Sequence, residues 1–364
     1  MLTKGDDYPL HQTPEPVAYV GANRNFYDRF FYNGYNKSGE IFFAAAMGVY
    51  PYLNVMDAAF SVVVEGVQHN VYASKSMHME RLDTNVGSIG IDIVKPLVEH
   101  RLTCDDKENG IVADLVFTAS MPAHEEPRFT RRAGTQVVMD ITRLMQNGTW
   151  SGWIEVKGKR IEIRPAEYRG TRDRSWGVRV GVGAGDVQTN PYAPEFQFYW
   201  LWSPMMFDDY TAHYFVNEDA SGDAWNRNGM IFHSGGEAEQ VQATSSKLQF
   251  LSGTRHASSA EVTFIKSSGE ELNFKISSKW HFYMKGIGYS HERFGHGSYH
   301  GELETGYDEF VTADVGPENI HIQAMCDVVC TSSEGEAKGQ CVLEQLIVGP
   351  HGPSGFTDVL DFAP

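Results

Sequence analysis

The sequence predicts an all-β chain of antiparallel barrels or sandwiches, and three observations carry that expectation. Period-2 alternation recurs at 197–202, 210–216, 261–266, 272–277, 320–325 and 340–348, the pattern of half-buried strands. Amphipathic helical periodicity is almost absent. Thirty-six glycines, 12% aromatic residues and turn signals about every ten residues suit antiparallel barrels and sandwiches and disfavour a parallel α/β sheet.

Individual segments follow from the same patterning. Val178, Val180 and Val182 alternate with Arg179 and Gly181, so a strand is expected to begin near 178. Phe198, Tyr199, Trp200 and Trp202 are apolar on both faces, which places them in a strand buried on both sides or facing a ligand cavity. Residues 260–277 read as a hairpin, with Val262, Phe264, Phe274 and Ile276 on runs separated by Ser-Ser-Gly-Glu-Glu. A length of 364 residues suggests two domains at roughly 100 to 200 residues each. Gly183, Gly185, Asp186, Asn190, Pro191 and Pro194 gather in a linker-like stretch. The expected domains are 1–188 and 189–364.

Charge and cysteine usage exclude several function classes. A net charge of −17 with no basic run longer than two residues opposes phosphate tracking, so no nucleic-acid partner is expected. Residues 1–10 lack a basic and apolar leader pattern, and no stretch approaches ~18 uninterrupted apolar residues. A cytoplasmic protein with no membrane partner is therefore expected. Cys104, Cys326, Cys330 and Cys341 are too few and too clustered for a disulfide framework and are expected as buried thiols. Cys326 and Cys330 would share one side of a strand but match a zinc half-site only loosely. Gly181-x-Gly183-x-Gly185 has no helix after it, so NAD and FAD are not expected. The absence of Gly-x-Ser-x-Gly and His-Glu-x-x-His patterns leaves no sign of a covalent nucleophile or a zincin site. No cofactor and no metal are expected.

Two constellations carry chemistry. Gly170-Thr-Arg172-Asp173-Arg174-Ser-Trp176-Gly177 sets a carboxylate between two guanidiniums, with glycines expected to turn the backbone at either end. Its structural alternative is an Arg-Asp-Arg ion network at a barrel end. Between Gly286 and Gly301 lie His291, His296, His300, Tyr289 and Tyr299 among five glycines. Histidine exchanges protons near neutral pH and tyrosine offers a ring with a hydroxyl. The alternative is a loop whose histidines simply bond backbone groups. Two weaker groups are His124-Glu125-Glu126, expected as a solvated charge run, and Asp208-Asp209, expected as an acidic turn at a strand edge.

The octet resembles the Gly-x-x-Asp-His-x-Trp-Gly signature of the carotenoid hydratase (hydroxyneurosporene synthase) and AttH-like superfamily. It is most similar to an uncharacterised bacterial branch with an Arg-Asp-x-Ser-Trp-Gly motif. The segments that carry the resemblance are 36–40, Gly48-Val-Tyr50-Pro51, Arg172 to Gly177 and Gly288 to Gly297. The resemblance implies two packed lipocalin-like, calycin-type β-domains with a largely apolar pocket near their interface. It also implies water addition to isoprenoid double bonds, or cyclisation of polyenes. Asp173 and Trp176 match signature positions, whereas Arg174 stands where the signature has histidine, and arginine cannot donate a proton near neutral pH.

The expected function is cofactor-independent acid/base chemistry, as a hydratase, lyase or isomerase, on a hydrophobic unsaturated substrate such as a terpenoid, steroid or aromatic compound. Asp173, His291, His296 and Tyr289 are the expected catalytic residues. Arg172, Arg174, Trp176, Tyr299 and Trp202 are the expected substrate contacts, the guanidiniums for an oxyanion and the indoles for a cation or a flat apolar group. The alternative is a non-catalytic lipocalin-like carrier of a small hydrophobic molecule. Convergence of Arg172, Asp173, Tyr289 and the loop histidines in one cavity would favour an enzyme, and their dispersal would favour a carrier. The pattern fixes no oligomeric state.

Overall fold

A computed structural model describes residues 2–11, 23–183, 196–234 and 237–364. The strands in chain order begin with β1 (Phe26–Asn36), β2 (Phe42–Tyr50), β3 (Val55–Val64), β4 (Val67–Ser76), β5 (Asn85–Val86) and β6 (Ile89–Lys95). Then come β7 (Glu99–Asp106), β8 (Ile111–Ala119), β9 (His124–Glu125), β10 (Phe129–Ala133), β11 (Gln136–Val156), β12 (Lys159–Ile163) and β13 (Tyr168–Arg179). Next are β14 (Phe198–Met206), β15 (Tyr210–Glu218), β16 (Ala224–His233), β17 (Ala238–Gln240), β18 (Ala243–Phe250), β19 (Ala257–Ile265) and β20 (Glu271–Tyr283). The last three are β21 (Leu303–Val311), β22 (Ile322–Ser332) and β23 (Gly335–Val348). Helix is confined to short 3-10 turns among the described residues.

The chain is all-β and lipocalin-like, with one nearly closed barrel sheet and one half-barrel sheet. The first runs β21-β4-β3-β2-β1-β13-β11-β8-β7-β6-β5, with β9, β10 and β12 on β11; the second runs β17-β16-β15-β14-β23-β22-β20-β19-β18. Every strand pair is antiparallel, including the β19–β20 hairpin, where Val262 faces Phe274.

Two compact units result: Met1–Asn190 with Lys285–Val311, and Pro191–Met284 with Thr312–Pro364. A single cut at 188/189 does not describe this division, because the glycine- and histidine-rich stretch and β21 return to the first unit. The cut itself, and most of the 182–195 linker, lie outside the described residues. The return has a local cause: β21 pairs along the whole of β4, from Leu303 opposite Lys75 to Val311 opposite Val67.

The first unit's core lies inside its barrel, where Phe30, Tyr32, Phe43, Phe60, Leu115 and Trp150 are buried together. Trp150 donates its indole N–H to the Asn33 carbonyl at 2.9 Å, so its polar edge is satisfied in the core. In the second unit Trp202 packs with Trp200 and Phe215. All four cysteines are buried and free.

The Arg-Asp-Arg motif is not the mouth of a strand, as its composition suggested; it is the middle of β13, held between β1 and β11. Nor do its glycines turn the chain. A Cβ at Gly170 would lie 2.0 Å from the Asn33 carbonyl oxygen, and one at Gly177, where φ is +134°, 1.9 Å from that of Asp140. Glycine there admits the neighbouring backbone.

Candidate functional site in the first unit

Side chains alternate across a strand, and on β13 this splits the motif. Arg172, Arg174 and Trp176 share the barrel-side face with their β1 partners Tyr32, Phe30 and Asp28. Asp173, Ser175 and Arg179 lie on the other face. The expectation that Asp173 sits between two guanidiniums is therefore wrong: those guanidiniums find other carboxylates.

On the inner face Arg172, 1% exposed, donates through Nη1 to Asp7 at 2.7 Å and through Nε to Gln146 Oε1 at 2.9 Å. Arg174, fully buried, pairs with Asp28 and lies over the Phe30 ring at 3.7 Å. Its Nε and Nη1 have no hydrogen-bond partner among the described residues. His100 links two groups. Its Nε2 is 2.6 Å from Asp7, and its Nδ1 is 2.5 Å from the Tyr32 hydroxyl. A carboxylate only accepts, so Nε2 carries the proton and Tyr32 donates to Nδ1. Trp176 stacks on His11 at 3.6 Å and 8°, and the His11 Nδ1 lies 3.0 Å from Asp28. Burial alone would raise the Asp7 and Asp28 carboxyls. The His100 hydrogen bond and Arg172 charge at Asp7, and the Arg174 charge and His11 at Asp28, outweigh it and hold both low.

The outer face of β13 and its neighbours carries a second cluster beneath the 285–301 loop. Arg29 donates to the Ile287 carbonyl at 3.0 Å; its Nε has no hydrogen-bond partner among the described residues. Arg179 donates through Nη2 to His296 Nδ1 at 2.8 Å and through Nη1 to the Tyr289 hydroxyl at 3.4 Å. Since a guanidinium cannot accept, His296 carries its proton on Nε2, which donates to the Ile287 carbonyl at 3.2 Å. Asp57 on β3 accepts from the Gly297 amide at 2.7 Å. Its carboxyl is pushed up by burial, against the pull of Arg29, the Gly297 amide and the Tyr50 hydroxyl. A cavity of ≈ 10 Å³ adjoins it, lined in part by Asp57, Tyr72, Ser74, Gly288, Phe294 and His296. That is room for about one water.

The expected residues therefore fall into different surroundings. Asp173 and Tyr289 share the outer face with His296, and Asp173 lies within electrostatic reach of Arg143. His291 accepts at Nδ1 from the Arg293 and Phe294 amides, at 3.1 and 2.9 Å, and its Nε2 lies 3.2 Å from Asp308. His300 Nε2 lies 2.6 Å from the Arg293 carbonyl. Each loop histidine thus has a backbone partner, and His291 and His296 also meet the Asp308 carboxylate and the Arg179 guanidinium. Tyr299 is 66% exposed. Trp202 belongs to the second unit, edge-on to His213 at 5.1 Å. Glu126, expected as part of a solvated run, is buried and bonded by Arg143 at 2.6 Å; Asp208 and Asp209 sit in the turn after β14, and Asp209 is exposed.

Asp7, Asp28, His100, Arg29 and Asp57 were missed, although a signal existed for three of them. Asp28 and Arg29 interrupt the aromatic run 26–32, and Asp57 is the lone charge in β3. A charge inside an apolar strand needs a partner. Among the described residues no cluster of three or more His, Cys, Asp or Glu is placed to hold a metal ion, and no helix is long and apolar enough to cross a membrane.

A nearly closed antiparallel barrel sheet beside a half-barrel sheet defines a lipocalin-like fold. Kievitone hydratase from Nectria haematococca is similar at a TM-score of 0.54 and 12% identity, over 88% of both chains. A candidate AttH from Nitrosomonas europaea is similar at 0.52 and 12%, over 92% of this chain and 96% of that one. CghA in complex with Sch210972 is similar at 0.54 and 12%, over 94% and 97%. At such identities the likeness is one of fold. No curated protein matches the sequence. The chain belongs to a family of unknown function, DUF8625, whose model matches residues 2–357.

Proposed function

We propose that the chain is a cofactor-independent acid/base enzyme of the hydratase, lyase or isomerase type, acting on a hydrophobic unsaturated substrate that carries an oxygen function. The carrying observation is Asp57, a carboxyl raised by burial beside a cavity under the 285–301 loop. A carboxyl that holds its proton more tightly than an ordinary one suits general-acid work. Asp57 gives its proton to one carbon of the double bond; water adds to the other carbon and returns a proton to the carboxylate, so the net change is addition of H and OH. In isomerisation the returning proton comes from a substrate carbon instead. Arg29 and Arg179 supply positive charge for a developing oxyanion, and the Tyr289 ring faces a cation. The kievitone hydratase name supports the reaction class. The small cavity implies that the loop moves to admit substrate.

His296 enters this scheme as a positioning residue, because both its ring nitrogens are occupied by Arg179 and Ile287. The carrier reading keeps one observation in its favour: Arg172 and Arg174 are separated from Asp173 and Tyr289 by the sheet itself. The test begins with native mass spectrometry of protein from its own host, to identify a retained molecule. That molecule is then incubated in deuterated water with wild type and Asp57→Asn. Deuterium uptake or gain of water by wild type alone supports the enzyme. Retention without any change in the molecule supports the carrier.

A further inference from the structure

The inner face of β13 holds more positive charge than the barrel alone can balance. Arg172 and Arg174 come from the strand itself, and Arg81 is close enough to Asp28 and Arg174 for each to feel its charge. Against these, Asp28 is the buried carboxylate of the wall. The second buried carboxylate, Asp7, arrives from outside the sheet, on a segment that pairs with no strand among the described residues.

We propose that this end of the barrel is a binding site for a flat, conjugated or aromatic carboxylic acid, and that residues 4–11 occupy it as an internal surrogate. This site is separate from the Asp57 cluster and does not rest on the enzymatic reading. The surrogate presents the two features such a ligand would. The Asp7 carboxylate sits on Arg172 and His100 at 2.7 and 2.6 Å, and also accepts from the Leu97 amide. The His11 ring lies flat on Trp176 at 3.6 Å. Arg172 and Trp176 are four residues apart on one face, roughly 13 Å along the strand, which sets the length of the acid. Between them Arg174, fully buried, keeps Nε and Nη1 without hydrogen-bond partners among the described residues. Unsatisfied buried guanidinium donors are costly, and an added oxygen function on the ligand would satisfy them.

The receptor side is held independently of the segment. Gln146 orients Arg172, Tyr32 orients His100, and Phe30 underlies Arg174. The site is thus preorganised for a carboxylate. The segment, in contrast, is one four-residue 3-10 turn, Lys4–Asp7, capped by Thr3, followed by a bend at Tyr8 and Pro9. Withdrawing it breaks no strand pairing; what it gives up are the Asp7 bonds, the Arg81 bond to the His11 carbonyl and the His11 stack on Trp176.

The probe is cis-parinaric acid, a conjugated tetraene carboxylic acid that fluoresces on burial, with its methyl ester as control, titrated into the full chain. A seated segment lowers apparent affinity by the fraction of open protein, so Asp7→Asn and His11→Ala should each bind the acid about tenfold more tightly or better than wild type. The ester should gain less than the acid. In saturated wild type the amides of residues 4–11 should exchange hydrogen faster than in free protein. Equal affinity for the acid in wild type and both variants would overturn the proposal. So would binding that leaves residues 4–11 protected, or no binding by any of the three proteins. If Asp7→Asn does not fold, His11→Ala and the wild-type exchange experiment decide.

Discussion

The two faces of β13 solve the burial of charge in opposite ways. Inside the barrel, each carboxylate meets a guanidinium directly: Asp7 with Arg172 and Asp28 with Arg174. Both acids are held below the ordinary range. Outside, Arg29 spends its Nη2 donor on the Ile287 carbonyl, and Asp57 is left with one backbone amide and a phenol. Burial then wins and the carboxyl rises. Direct contact with a guanidinium lowers the carboxyl it touches, and desolvation raises the one that lacks it.

The comparison breaks first at Asp57. Asp57→Asn is expected to cut turnover by about 10² to 10⁴-fold, the usual worth of a general acid, and to leave the fold intact at neutral pH. The sign of the linkage supports this. A carboxyl whose folded pKa is raised contributes stability below its unfolded pKa and loses it as pH rises through the folded one. Urea melts should therefore show that the variant lacks part of the wild type's decline above the ordinary carboxylate range. Asp7 and Asp28 act in reverse, with stability present above the unfolded value of 3.8 and lost as pH falls below it. Asp7→Asn should flatten that acid limb.

Next in size is the inner ion pair. Arg174→Met leaves Asp28 buried without its guanidinium and is expected to cost about 3 to 5 kcal/mol in chemical denaturation. The double variant with Asp28→Asn should recover much of that loss. A smaller effect follows at His296, whose replacement by alanine leaves Arg179 Nη2 without its acceptor. About 1 to 3 kcal/mol of stability should be lost, with turnover falling through misplaced Arg179 and partly restored by His296→Gln, which keeps an acceptor. At the small end, Tyr299→Ala should stay within about 0.5 kcal/mol of wild type and leave turnover unchanged, because the side chain is 66% exposed.

Strand content was legible because alternation is a local property. Every run read from the pattern between 197 and 348 overlaps a strand to within two residues at its ends, and the hairpin at β19–β20 closes as its turn composition implied. The Arg-Asp-Arg motif was legible as important but misread as a unit. Once β13 is known to continue through it, period-2 geometry alone forbids adjacent residues from sharing a partner. Tyr289 and His296 were found through local composition. Asp7 was not, since it is singled out only by what the fold brings against it, whereas Asp57 stands out as the lone charge of an apolar run without revealing its partner.

By itself, the sequence determined the all-β class, the recurrent antiparallel strands and the two neighbourhoods, 170–177 and 286–301, where polar chemistry gathers. These depend on side-chain periodicity and composition within a few residues. Tertiary structure decided that β21 carries the histidine loop back to the first unit, that Arg172 faces Asp7 across 165 residues of chain, and that Asp57 lies half-buried against the Gly297 amide. Such pairings join segments far apart in sequence, and the protonation of each acid follows from the partner that folding delivers.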